Sequence, residues 1–197
     1  AFKIEGTDFT GSLIVGHSTT GTLDAATYNT ALGIGAMDAL TSGDNNVAIG
    51  YNTGTAITTG SSNTAIGKEA LSTKTIGAGD VAIGYQALQD LDGGDSFNTA
   101  VGYQAGRNMT TGTTNVLVGA AAGDTLSTGH YNVAVGYQAL WTEDEHGKNV
   151  AIGYRTLKAQ DAGADAYNVA VGYQAGTAVT TGVYNTIMGG LAGDSLT

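Results

Sequence analysis

The side chains best suited to bind a metal are His17, His130 and His146, and all three fall among turn-forming residues. His130 and His146 are 16 residues apart, with Asp144 and Glu145 beside the second. Such a donor set could hold a divalent cation, and solvated turns produce the same pattern. Acidic turns are the other candidates: Asp90, Asp92 and Asp95 in QDLDGGDS, and Asp161 and Asp165 in QDAGAD. Oxygen-rich, glycine-containing loops suit Ca2+, which makes Asp92, Asp95, Asp161 and Asp165 the expected ligands of any such ion, although no full ligand loop can be read. Trp141, the only tryptophan, adjoins Glu143-Asp144-Glu145. An exposed indole there could stack on a sugar, with His146 as a second contact, or pack against a neighbouring coil. The stretch from Ser62 to Glu69 imitates a phosphate-binding loop, but has Ser where Gly is required and Glu where Ser or Thr is required. No catalytic constellation emerges, so neither an enzyme nor a cofactor is expected.

The elements that position these residues are set by a repeat, and repeats are tested before local motifs because they decide the architecture. A unit Asn-(Val/Thr)-Ala-(aliphatic)-Gly begins at Ser12, Asn29, Asn46, Asn63, Asp80, Asn98, Asn115, Asn132, Asn149, Asn168 and Asn185. The steps are 17 residues, except 18 after Asp80 and 19 after Asn149. With that first residue as position 1, position 5 is always glycine: Gly16, Gly33, Gly50, Gly67, Gly84, Gly102, Gly119, Gly136, Gly153, Gly172 and Gly189. Such strictness implies a positive φ or a close backbone approach. Position 4 is aliphatic or Met, and Ile49, Ile66, Ile83, Val101, Val118, Val135, Ile152 and Val171 are expected as the core row. Position 2 shares its face, and position 3, mostly Ala, turns to the other.

Position 9 is Leu in four repeats (Leu71, Leu88, Leu140, Leu157) and Gly in five (Gly54, Gly106, Gly123, Gly176, Gly193). In all five Gly cases position 12 is apolar (Ile57, Met109, Leu126, Val179, Leu196), whereas the Leu cases carry Lys74, Leu91, Glu143 and Gln160. One large apolar side chain per coil, supplied from either position, is the expected compensation. Gly at position 15 (Gly43, Gly60, Gly77, Gly94, Gly112, Gly129, Gly163, Gly182) marks the turn into the next coil.

Seventeen residues allow two short strands and two turns, so the expected fold is all-β: a parallel β-solenoid or β-roll of about eleven coils, roughly 53 Å long at ~4.8 Å per coil. Residues 1–11 read as a lead-in and 12–197 as the repeat domain. Stacking makes position 1 an Asn ladder broken by Asp80, and position 6 a partial Tyr ladder of Tyr51, Tyr85, Tyr103, Tyr137, Tyr154 and Tyr173. The Ala and Gly face is expected to be covered by sister chains in a homotrimer.

Composition narrows the setting. The 197 residues include 32 glycines, no proline and no cysteine, which excludes collagen-like triplets and a disulfide framework. Seven basic against seventeen acidic residues, net −10, disfavour nucleic acid. No apolar run approaches ~18 residues, so no membrane insertion is expected. The start Ala1-Phe2-Lys3-Ile4, without Met or a signal segment, suggests a portion of something longer.

The runs NVAIGYNTG (46 to 54), NTAVGYQAG (98 to 106), NVAVGYQAL (132 to 140) and NVAVGYQAG (168 to 176) resemble the repeats of tail-fibre and virion-appendage proteins of marine tailed phages. More distantly, they are similar to the head domains of trimeric autotransporter adhesins. The resemblance covers residues 12 to 197. It implies a homotrimeric, elongated fibre on a virion or at a cell surface, where it contacts neighbouring virion or surface proteins and supports attachment to a host glycan or protein. The 17-residue period and the Tyr-Gln-Ala run depart from the adhesin pattern.

Two rivals are weaker. Thr-Thr-Gly at 58–60, 110–112 and 180–182 suggests an ice-binding rank, but other coils break it with Asp92-Gly93 or Asp144-Glu145. Left-handed β-helical acyltransferases have a hexapeptide period that is missing here. Recognition, if present, is expected in the irregular turns at 90–97, 141–148 and 158–167. With Asp80 included, those three coils hold nine of the seventeen acids.

Overall fold

Each coil contributes one three-residue strand. The computed structural model describes residues 2–4, 12–15 and 25–196; Gly16, His17 and most of the expected lead-in lie outside the described residues. The strands are β1 (Phe2–Ile4), β2 (Leu13–Val15), β3 (Thr30–Leu32), β4 (Val47–Ile49), β5 (Thr64–Ile66), β6 (Val81–Ile83), β7 (Thr99–Val101), β8 (Val116–Val118), β9 (Val133–Val135), β10 (Val150–Ile152), β11 (Val169–Val171) and β12 (Thr186–Met188). They form one sheet in chain order. β1 pairs antiparallel with β2, and all later pairs are parallel, with equivalent repeat positions in register as in Val47↔Thr64, Ala48↔Ala65 and Ile49↔Ile66. Eleven parallel strands bound ten turns of a β-solenoid, about 48 Å from β2 to β12 at ~4.8 Å per step.

The expected second strand per coil does not form, because the chain must bend too often. Positions 7 and 9 and the last position of the coil adopt the left-handed helical region, as in Gln104 (φ 55), Leu88 (φ 47) and Tyr167 (φ 54). For a residue with a side chain each such corner costs about 1 kcal/mol. The cost is offset by inter-coil hydrogen bonds: Gln104 N donates to Tyr85 O at 2.8 Å and Leu88 N to Ala105 O at 3.0 Å. Two tight turns complete the path, with the position 8 N–H donating to the position 5 carbonyl and the position 12 N–H to the position 9 carbonyl, as in Ala105 to Gly102 and Met109 to Gly106.

The face assignment is reversed from the sequence reading. Position 3 points inward: Ala31, Ala48, Ala65, Ala82, Ala100, Ala134, Ala151 and Ala170 are all fully buried. The expected core row of Ile49, Ile66, Ile83, Val101, Val118, Val135, Ile152 and Val171 stands on the outer face, partly exposed, with Ile152 38% accessible. The reason is thickness. A 17-residue coil leaves space behind the strand for a methyl group at position 3, the position 8 row of small residues, and large side chains at positions 9 and 12.

Filling that space follows the compensation read from the sequence only in part, since Met37 with Leu40 and Leu88 with Leu91 are buried together in single coils, and there is a third contributor. A Cβ at Gly54 would stand 2.9 Å from Ile57 Cδ1, and one at Gly193 2.9 Å from Leu196 Cδ1, so position 12 occupies the place that a position 9 side chain would take. Position 3 joins in where it is large. Leu117 reaches within 2.7 Å of a Cβ at Gly106 and 2.8 Å of one at Gly123, and Ile187 Cδ1 comes within 2.9 Å of one at Gly176.

Candidate functional site

The asparagine ladder is the polar spine of the coil. Asn46 Oδ1 accepts from Asn63 N at 3.0 Å and Asn63 Nδ2 at 3.2 Å, while Asn46 Nδ2 donates to Gly60 O at 2.8 Å. The buried amides thereby bond the next coil and the position 15 carbonyl of their own coil, except that Asn149, in the lengthened coil, reaches only the next coil and its Nδ2 has no partner. Asp80 interrupts the pattern: its Oδ1 still accepts from Asn98 N at 2.9 Å, but a carboxylate has no donor for Gly94 O. Lys74 supplies it. The fully buried ammonium donates to Gly94 O at 2.7 Å, Gly93 O at 2.8 Å and Ser96 Oγ at 2.9 Å, and pairs with Asp80 Oδ2 at 2.8 Å.

Position 12 therefore points inward even when polar. Gln160 Nε2 donates to Thr180 O at 3.1 Å, and its Oε1 accepts from Asn168 Nδ2 at 2.7 Å. Glu143 is fully buried, and its Oε1 accepts from His146 N at 3.2 Å and lies 3.6 Å from His146 Nδ1. Its Oε2 has no hydrogen-bond partner. Burial pushes the Glu143 carboxyl up to about 7, opposed by the His146 N–H and imidazole and reinforced by Asp161 and Asp144.

The other site candidates separate. Asp92, Asp95, Asp161 and Asp165 do not converge: the two acidic turns are four coils apart, roughly 19 Å. Asp92 Oδ1 accepts from Thr75 N at 2.9 Å and Thr75 Oγ1 at 2.7 Å, and Asp165 pairs with Lys148 at 2.5 Å, which holds its carboxyl below the usual range. Among the described residues the one group of three metal-ligating side chains within reach of each other is Glu143, Asp144 and His146. His130 is not part of it, since its Nδ1 accepts from Thr113 N at 3.1 Å. Glu145 is exposed.

Trp141 packs between coils: its ring lies under Lys158 Nζ at 5.2 Å, and its side chain hydrogen-bonds Asp124. Asp124 is nevertheless raised, because its burial outweighs both the Arg107 charge and that bond. In two of the Thr-Thr-Gly turns the first threonine hydroxyl bonds the adjacent coil, Thr58 Oγ1 to Thr75 O at 2.9 Å and Thr110 Oγ1 to Ser127 O at 3.3 Å. Gly94 and Gly163, in the two lengthened turns, have open space where a Cβ would stand.

The largest continuous feature is the outer sheet face. Positions 2 and 4 present Val, Thr and Ile along its length, and exposed aromatics border both sides: Tyr51, Tyr103 and Tyr173 at position 6, and Phe97, Tyr131 and Tyr184 at the last position of their coils. Neighbouring rings stack, with centroids 5.2 Å apart for Tyr85 and Tyr103 and for Tyr154 and Tyr173. Tyr103→Phe keeps the stack and removes only a hydroxyl, so its thermal midpoint should match the parent within the equivalent of about 0.5 kcal/mol.

This geometry defines a β-solenoid repeat protein whose buried polar side chains recur at position 12 of several coils and whose outer sheet face is apolar. In comparison with known proteins, the chain matches no family model, no curated protein and no solved structure. No helix among the described residues is long and apolar enough to cross a membrane.

Proposed function

We propose that the chain is a structural segment of a homotrimeric fibre, displayed on a virion appendage and supporting host attachment. The observation that carries this is the outer face of the parallel sheet. A strip about 48 Å long and roughly 20 Å wide, counting the bordering aromatic rows, offers about 1,000 Å² per chain, the scale of a stable interface. Apolar surface of that extent marks a contact face. A three-fold axis along the solenoid keeps three chains pointing the same way, as an appendage attached at one end requires. The virion setting rests on the likeness of the Asn-Val-Ala-Val-Gly-Tyr-Gln-Ala runs to phage fibre repeats. The sister chains cover the Val and Ile face, since the Ala row is interior.

Light scattering should return three times the 19.7 kDa chain mass. Ile152→Lys with Val169→Lys places two charges on side chains already 38% and 37% accessible, so the coil should stay folded while the trimer separates. A parent protein that runs as a monomer or dimer removes the trimer. Electron microscopy of the parent particle tests the setting: a rod projecting from the virion is expected.

A further inference from the structure

We propose that Glu143, Asp144 and His146 form a binding site for one divalent transition-metal cation, with Zn2+ the ion that fits the donor set. The three offer ligand atoms within 4.8 Å of one another. Two further observations point to a missing partner. Glu143 has 0% side-chain exposure and an Oε2 without a hydrogen-bond partner, and His146 Nδ1 likewise has none. A buried carboxylate oxygen without a donor is among the costliest groups to leave unpaired. The other buried carboxylates among the described residues face a lysine or arginine: Asp80 has the Lys74 ammonium at 2.8 Å and Asp124 the Arg107 guanidinium at 3.3 Å. Among the described residues His146 is the one group in an ion pair with Glu143, at 3.6 Å.

The separation of Glu143 Oε1 from His146 Nδ1, 3.6 Å, is close to that of two ligands on one Zn2+, whose bonds of about 2.0–2.2 Å put donors roughly 3.4 Å apart. Asp144 is exposed, so a rotamer change brings its carboxylate in. One imidazole nitrogen with two carboxylates favours Zn2+ over Ca2+ or Mg2+, which take oxygen. The backbone is already fixed. Asp144 O accepts from Ser127 N at 2.6 Å and Thr128 N at 3.1 Å, His146 O from Asn132 Nδ2 at 3.3 Å, and Gly147 N donates to Asp165 Oδ1 at 3.2 Å. A cation there would clamp the turn whose glycine has shifted to Gly147.

The test is Zn2+ titration of the tag-free full chain by calorimetry at mildly alkaline pH, with Co2+ absorption as the second readout. Expected are one ion per chain, micromolar affinity or tighter, and a visible Co2+ band characteristic of nitrogen ligation. Glu143→Gln, Asp144→Asn and His146→Asn should each weaken Zn2+ at least about tenfold, and His146→Asn should abolish the band. Asp144→Asn alters an exposed side chain, so its loss cannot be ascribed to unfolding. Asp95→Asn, an exposed acid three coils away, should bind as the parent does. No saturable binding in the parent, equal affinity in the parent and all three variants, or equal competition by Ca2+ would each overturn the site.

Discussion

Lys74→Met is expected to destabilise the protein by about 3–5 kcal/mol, because it leaves the Asp80 carboxylate buried without its counter-charge and removes a donor from Gly93 O and one of two from Gly94 O, which keeps Ser96 Oγ. Met fits the site sterically, since Leu91 occupies the same repeat position in a coil that, like that of Lys74, also buries a Leu at position 9. Asp80→Asn alone should also be costly, as it strands a buried ammonium. The decisive variant is the pair. In Lys74→Met with Asp80→Asn the new amide can donate to Gly94 O as Asn63 Nδ2 does to Gly77 O at 3.1 Å, and position 12 becomes apolar as in most coils. The double variant should regain most of the loss, returning to within about 1 kcal/mol of the parent. Guanidinium midpoints of all four proteins measure the cycle. A double variant as unstable as the sum of the singles would show that the ammonium does not stand in for the ladder amide.

Spacing made the solenoid, the asparagine ladder and the exchange between positions 9 and 12 legible, because stacking converts a 17-residue recurrence directly into neighbours. It could not say which face of the strand lies inside. A period of two groups Val47 with Ile49 and sets Ala48 apart, and hydrophobicity then favours the larger pair as core. The coil reverses that preference because it is thin. One sequence signal did point the right way: the large position 3 residues Leu117 and Ile187 coincide with glycine at position 9, at Gly106, Gly123, Gly176 and Gly193, which is volume conservation across an interior. The buried polar groups were half legible. Lys74 and Glu143 stood out as charges at a mostly apolar position, and Asp80 as the one acid in the ladder. Their burial required knowing that position 12 points inward in every coil. Glu143 lies in an acidic run with Asp144 and Glu145, and its repeat position is the one sequence feature that separates it from exposed Glu145.

Gly102→Val is expected to be the most damaging substitution on the sheet. Gly102 has φ +144, and a Cβ there would lie 2.4 Å from Gly119 O and 2.6 Å from Gly119 C, backbone atoms of the next coil that cannot turn aside. Backbone strain alone contributes about 1–3 kcal/mol, and relieving the clash means parting two coils whose register is carried by Gly119 N to Val101 O at 2.8 Å. Gly136 is in the same situation, with Gly153 O at 2.3 Å, so Gly136→Val should behave alike. The control is Gly163→Asn, where φ is +66 and nothing lies within 4 Å of the added carbon. Asparagine accepts that backbone region, so its thermal midpoint should stay near the parent value. If Gly102→Val and Gly163→Asn melted together, close carbonyl stacking at position 5 would not be what holds the coils in step. A large gap between them assigns the glycine row to the contact between coils, which Gly163, out in a lengthened turn, does not make.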